Sequence, residues 1–177
     1  MISTAAPSRA RSLLLKTPGR PVVRKRSGSW ANMSRQGAFA AIFGMPSLDR
    51  AALVKTGAPA KVVGDISHEM DISKDRFVRI TGLTRATVNR KIANRSDLSA
   101  DESERIVGLA RLIGQVETMV GESGSLAGFK AAKWFAAWIA QPLAALGGRK
   151  PEEFLDTADG REAISQLLSQ MQSGAYA

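Results

Sequence analysis

From Ser47 onward the apolar positions recur every three or four residues, and no stretch alternates with the two-residue period of a strand. The pattern predicts an all-α fold of short helices cut by turn residues. Asp49–Lys55 is an amphipathic helix stopped near Gly57. Pro59 suits a first helical turn, and Val62, Val63, Ile66 and Met70 follow at helical spacing. Ser73 is placed to cap a helix over Lys74–Ile80 that Gly82 ends, and Thr84 to cap another reaching about Asn94. Ser99-Ala-Asp-Glu102 has the form of a capping box, because a Ser hydroxyl and a Glu three residues on can satisfy each other's backbone amides. It opens the most regular helix, with a stripe of Ile106, Leu109, Ala110, Ile113, Val116 and Val120. Gly121–Ser125 reads as a hinge. Beyond it come an aromatic-rich helix over Phe129–Ala140, a Gly147-Gly148 turn and a short helix from Pro151 to Leu155. A last helix, capped by Thr157 or Asp159, carries Ala163, Ile164, Leu167, Leu168 and Met171, with Gly174 expected to end it.

The formal charge of +9 changes this picture through its placement. Residues 1–35 hold eight of the 25 basic side chains and no acid, so the remaining 17 nearly balance the 16 acids of the body. Met1–Arg35 mixes Ser, Pro, Gly and Arg around a single apolar run, Leu13–Leu15. It has no periodicity with which to bury surface, and residues 1–46 are expected to be a disordered basic tail. An organellar transit peptide, a phosphate-contacting arm and a start codon set too early, with Met33 or Met45 as the initiator, are competing readings of it. The absence of cysteine excludes disulfides and thiolate chemistry and fits a cytoplasmic address. No run is long and apolar enough to span a membrane.

Chemistry concentrates between Ser73 and Arg95. Two short helices joined by a Gly-containing turn are the sequence form of a helix-turn-helix. Phe77, Val78, Ile80 and Leu83 supply the buried side of the first helix and turn, while Val88 and Ile92 seat the second. Arg85, Thr87, Asn89, Arg90 and Lys91 are then left for the outer face, with Arg95 just beyond. Arg forms paired hydrogen bonds with guanine, Asn with adenine, and the Thr methyl meets thymine. Lys91 and Arg95 are assigned to phosphates, which set register and affinity. Six basic residues and no acid lie between Arg76 and Ser96. A solvated basic surface is the plain alternative.

Residues 129–177 hold five basic and five acidic side chains, so this half has no such electrostatic footprint. It carries Trp134 and Trp138 four apart on one helical face, two glycine turns and a terminal Tyr176. Trp138 is expected in the core, and Trp134 in core or interface. From about Leu48 to Ala177 the sequence resembles the Xre/MbcA/ParS-like antitoxins. Trp138-Ile-Ala-Gln-Pro142 resembles the family's W-L-x-x-P, and Leu146-Gly147-Gly148-Arg-Lys-Pro151 its L-G-G-x-x-P. Thr84-Arg-Ala-Thr-Val-Asn-Arg90-Lys91 resembles the family's recognition helix, and Leu98–Arg105 the capped helix after it. Lys91 often stands as Arg there, and Leu143 replaces a common Asn.

The resemblance implies a type II toxin–antitoxin module. Its C-terminal domain would cover the pocket of a RES-domain, NAD-degrading toxin, and its helix-turn-helix would repress the shared promoter. The expected domains are the tail, a DNA-binding domain over 47–121 and a toxin-binding domain over 122–177. Expected partners are the RES-domain toxin, operator DNA and a second copy in a homodimer, with no membrane. Arg85, Thr87, Asn89, Arg90, Lys91 and Arg95 are the candidate DNA contacts. Trp134, Arg149, Lys150, Ala175, Tyr176 and Ala177 are the candidate toxin contacts, the last three as an inhibitory tip. No catalytic residue, cofactor or metal is expected. The one histidine, His68, precedes the helix pair, and Asp101, Glu102 and Glu104 cluster where the helix dipole favours negative charge. A one-component repressor whose second half dimerises or binds a small ligand is the main rival reading, and a nucleoid scaffold a third.

Overall fold

The computed structural model describes Trp30, residues 37–124 and residues 127–173. Among these residues every regular element is helical: α1 (Ala38–Phe43), α2 (Ser47–Thr56), α3 (Val62–Glu69), α4 (Lys74–Ile80), α5 (Arg85–Ala93), α6 (Ala100–Glu122), α7 (Ala131–Trp138) and α8 (Ala158–Gln172). Two 3₁₀ turns, Ala144–Leu146 and Pro151–Phe154, connect α7 to α8. The all-α expectation holds.

α6 is the central strut. Its capping box forms as expected: Ser99 Oγ accepts from the Glu102 amide, and the Glu102 carboxylate accepts from the Ser99 amide. It packs against α1, α2, α7 and α8, and it buries Ile106, Leu109, Ala110, Ile113 and Val116. The buried apolar residues of both halves form one continuous core. α6 runs through Gly121 to Glu122, so the expected hinge begins inside a helix and turns at Ser123 and Gly124; Ser125 lies outside the described residues.

Three expectations are corrected. Residues 38–43 do not belong to a disordered tail: they form α1, which buries Phe39 and Ile42 against α6. α1 is only six residues long, too short for a period to show, and it has no local side-chain cap. Its cap is supplied from across the fold, because the Glu117 carboxylate accepts from the amides of Gly37 (2.7 Å) and Ala40 (2.9 Å). Gly114 makes the approach possible, since a Cβ there would run into the Phe39 backbone. Trp30 is buried too, at 9% exposure. Second, the aromatic helix is shorter than expected, and Phe129 precedes it. Third, α8 buries Gly160, Arg161, Ile164 and Leu168, leaving Ala163 exposed, Leu167 half-buried and Met171 exposed. The buried stripe is narrower because α8 meets α6 closely on one side only. There Arg161 lies across Gly108, its guanidinium bonded to both Glu104 oxygens and to the Leu155 carbonyl. The expected stop at Gly174 lies outside the described residues; α8 ends at Gln172.

Candidate functional site

The helix pair forms as the spacing predicts. Ser73 Oγ accepts from the Arg76 amide to start α4, and Phe77, Val78 and Ile80 are buried. The chain turns at Gly82 with φ +64°. A side chain there would bring Cβ within 2.5 Å of Arg105 Nη1 and 2.9 Å of Asp156 Cβ, so the turn needs glycine for space as well as for backbone angle. Arg105 Nη1 donates to the Gly82 carbonyl at 2.9 Å and ties the turn to α6. Thr84 stands at the N-cap of α5 in extended backbone, but its side chain makes no capping bond, contrary to expectation. The first amides of α5 are therefore left without a side-chain acceptor.

Val88 is fully buried and Ile92 half-buried, which fixes the inward face of α5. Residues 84, 87, 88, 91 and 92 share that face by helical spacing, and 85, 86, 89, 90 and 93 share the other. Arg85, Asn89 and Arg90 are accordingly exposed, while Thr87 is half-buried. Arg95 is exposed just past the helix, in left-handed backbone at φ +51°. Arg85 meets Asp75 at 3.1 Å, with both side chains more than half exposed, a contact worth at most about 1 kcal/mol and readily exchanged for another.

Lys91 does not join this outer set. Its ammonium lies 2.5 Å from Glu102 on α6, with 18% and 16% of the two side chains exposed. The spacing argument failed here because it counted Lys91 by residue type, although Lys91 stands three residues after Val88 on the inward face. Arg76 is also turned inward: it pairs with Glu152 at 2.7 Å and donates to the Ala136 carbonyl, bolting α4 to the second half of the chain. Arg79, not singled out from the sequence, is exposed on α4.

In the second half, Trp134 is 36% exposed and stacks on Trp138, with ring centroids 6.0 Å apart and planes 10° from parallel. Trp138 is half-buried against the core, and Phe129 adds a tilted ring 6.3 Å from Trp134. Arg149 and Lys150 are exposed on the loop after the Gly147-Gly148 turn, where both glycines have positive φ. The Arg149 guanidinium sits 4.3 Å over the Phe154 ring and bonds Glu153. The Lys150 amide, with the Arg149 guanidinium second, holds the Glu153 carboxyl below its ordinary range. Ala175, Tyr176 and Ala177 lie outside the described residues.

A cavity of about 280 Å³ between α6 and α8 is lined by Glu104, Arg111, Asp159, Arg161 and Glu162 among others. His68 is exposed. Among the described residues no three His, Asp or Glu side chains are grouped to hold a metal, and no helix is long and apolar enough to cross a membrane.

Comparison with known proteins agrees with this geometry. Residues 49–111 match the model of the antitoxin Xre-like helix-turn-helix domain. Residues 117–174 match that of the antitoxin Xre/MbcA/ParS C-terminal toxin-binding domain. α1 lies outside both. The chain is 41% identical over 140 residues, 79% of its own length and 88% of the relative's, to a protein of Sphingobium sp. (strain YBL2) named "Prs ADP-ribosylating antitoxin". The chain belongs to the Xre/MbcA/ParS family of antitoxins, is not an enzyme, and joins a DNA-binding helix-turn-helix to a toxin-binding domain.

Proposed function

We propose that this antitoxin silences a RES-domain, NAD-using toxin encoded beside it and represses their shared operon. The observation that carries the reading is one chain holding both a seated, acid-free reading helix and a matched toxin-binding domain. α5 enters the major groove, with Arg85, Asn89 and Arg90 toward base edges and Arg95 toward phosphate. Thr87, half-buried, reaches DNA only at the edge of that contact. A homodimer supplies two such helices, about 34 Å apart, to a palindromic operator.

The toxin docks on the second half, where Trp134 is the aromatic anchor, Arg149 and Lys150 form a polar rim, and Ala175, Tyr176 and Ala177 enter the pocket. The relative's name supports a toxin that uses NAD as a donor of ADP-ribose to a protein, beyond simple degradation. The experiment is co-expression of this chain with the product of the adjacent gene. Stoichiometric co-purification, growth restored by the antitoxin, and label passing from NAD to protein in its absence are the expected results. An adjacent product that neither binds the chain nor consumes NAD overturns the reading.

A further inference from the structure

The inference concerns how α5 is held, and it rests on the reading of α5 as the DNA-recognition helix. Beyond Val88 and Ile92, the polar seam between α5 and α6 is built around Lys91. Its ammonium donates to Glu102 Oε2, the same oxygen that accepts the Ser99 amide at 2.7 Å. Its carbonyl accepts the Ser96 amide at 3.0 Å, where the chain leaves α5 through left-handed Arg95 toward α6. Burial alone pushes the Glu102 carboxyl up; the Lys91 ammonium and the Ser99 amide outweigh it and hold the carboxyl below its ordinary range. Moving Lys91 out to a phosphate strips the cation from a carboxylate that is mostly withdrawn from water, which costs free energy that an exposed lysine does not forfeit.

We infer that Lys91 and Glu102 are a positioning pair: their ion pair sets the roll of the recognition helix over α6, so that Arg85, Asn89 and Arg90 meet base edges together. Lys91 itself does not contact the DNA backbone. A helix rolled by even part of a turn about Val88 carries the outer side chains away from their base edges, because they share one face at fixed angular offsets. The pair therefore acts on sequence reading, and a phosphate contact acts on affinity for any sequence.

The two roles predict opposite results. The test uses the full chain, a duplex spanning the region upstream of its gene, a random duplex of equal length, and a salt series. Lys91→Met keeps the stem without the charge. Glu102→Gln keeps an acceptor for the Ser99 amide and so preserves the helix cap. Both are assayed at a temperature where circular dichroism shows each variant folded. Each is expected to lower upstream-duplex affinity by about tenfold, the scale of one lost base contact. The double variant should be no weaker than either single one, since both remove the same interaction. Random-duplex binding and the salt slope should hold, and Lys91→Arg should restore most of the loss.

A phosphate contact instead predicts that Lys91→Met weakens both duplexes alike and flattens the salt slope by about 0.9, and that Glu102→Gln, by freeing Lys91, tightens binding. That outcome overturns the positioning role. Arg85→Ala is measured alongside. If it weakens upstream-duplex binding while Lys91→Met and Glu102→Gln do not, the pair is not a positioning device although α5 still reads DNA. If Arg85→Ala has no effect, the reading of α5 on which the pair depends fails.

Discussion

Ile42→Ala probes the part of the fold most at odds with the sequence expectation. Ile42 is 1% exposed and, with Phe39, anchors the six-residue α1 to α6. Truncating a buried isoleucine to alanine costs about 2–5 kcal/mol, the transfer of the lost atoms plus the cavity left behind. A helix this short has no stability of its own, so α1 undocks once the cavity costs more than the docking returns, which caps the loss. About 3 kcal/mol is the expected value, within the range for such a truncation.

Urea unfolding read by far-ultraviolet circular dichroism and by tryptophan fluorescence measures it. With a slope of about 2 kcal/mol per molar, the midpoint should fall by about 1.5 M, provided the two probes coincide. Gly114→Ala, which forces Cβ into the Phe39 backbone, should have a similar effect and should not add to Ile42→Ala, because both release α1. Deleting residues 1–29 should leave the midpoint in place. A loss below about 0.5 kcal/mol for Ile42→Ala, the scale of a surface change, refutes the docking of α1.

Arg85→Ala or Asn89→Ala should each cost about 1–3 kcal/mol at the operator and relax preference at one base pair in a quantitative shift assay. Trp134→Ala, or removal of Ala175–Ala177, should lower toxin affinity by about 2 kcal/mol in calorimetry while the unfolding temperature hardly moves. A double-mutant cycle on Arg76→Met and Glu152→Gln should return a coupling of about 1–3 kcal/mol in stability, since both side chains are mostly buried between the halves. The folded pKa values of Glu102 and Glu153 lie below their ordinary ones. Their contribution to stability is therefore full above about pH 4.3 and is lost as pH falls through the folded values, so the urea midpoint should decline on acidification below that point, and less so in Glu102→Gln.

Most of the fold was legible because its signals are local. The Ser99–Glu102 box, the Ser73 cap and the Gly82 turn each satisfy backbone groups within a few residues, and each appears in the structure. α1 was not legible because its cap, Glu117, stands 77 and 80 residues from the amides it satisfies, and its docking notch is the missing side chain of Gly114. The candidate DNA face was legible as a set of residue types, but the division of α5 into inner and outer faces follows from Val88. Counted from there, Lys91 falls inside, a correction available from spacing alone. The partner of Arg76 was not, since nothing local links it to Glu152. On α8, Ala163 and Met171 look as apolar as Ile164, and only the close approach of α6 decides which stripe is buried.

The measurement closest to the central claim is NAD turnover by the purified product of the adjacent gene, titrated with this chain. Wild-type antitoxin and Arg85→Ala should both abolish turnover near equimolar ratio, and Trp134→Ala should require a large excess, because reading DNA and covering the toxin use different residues. Turnover that persists at saturating wild-type chain, or that Arg85→Ala fails to stop, contradicts the account.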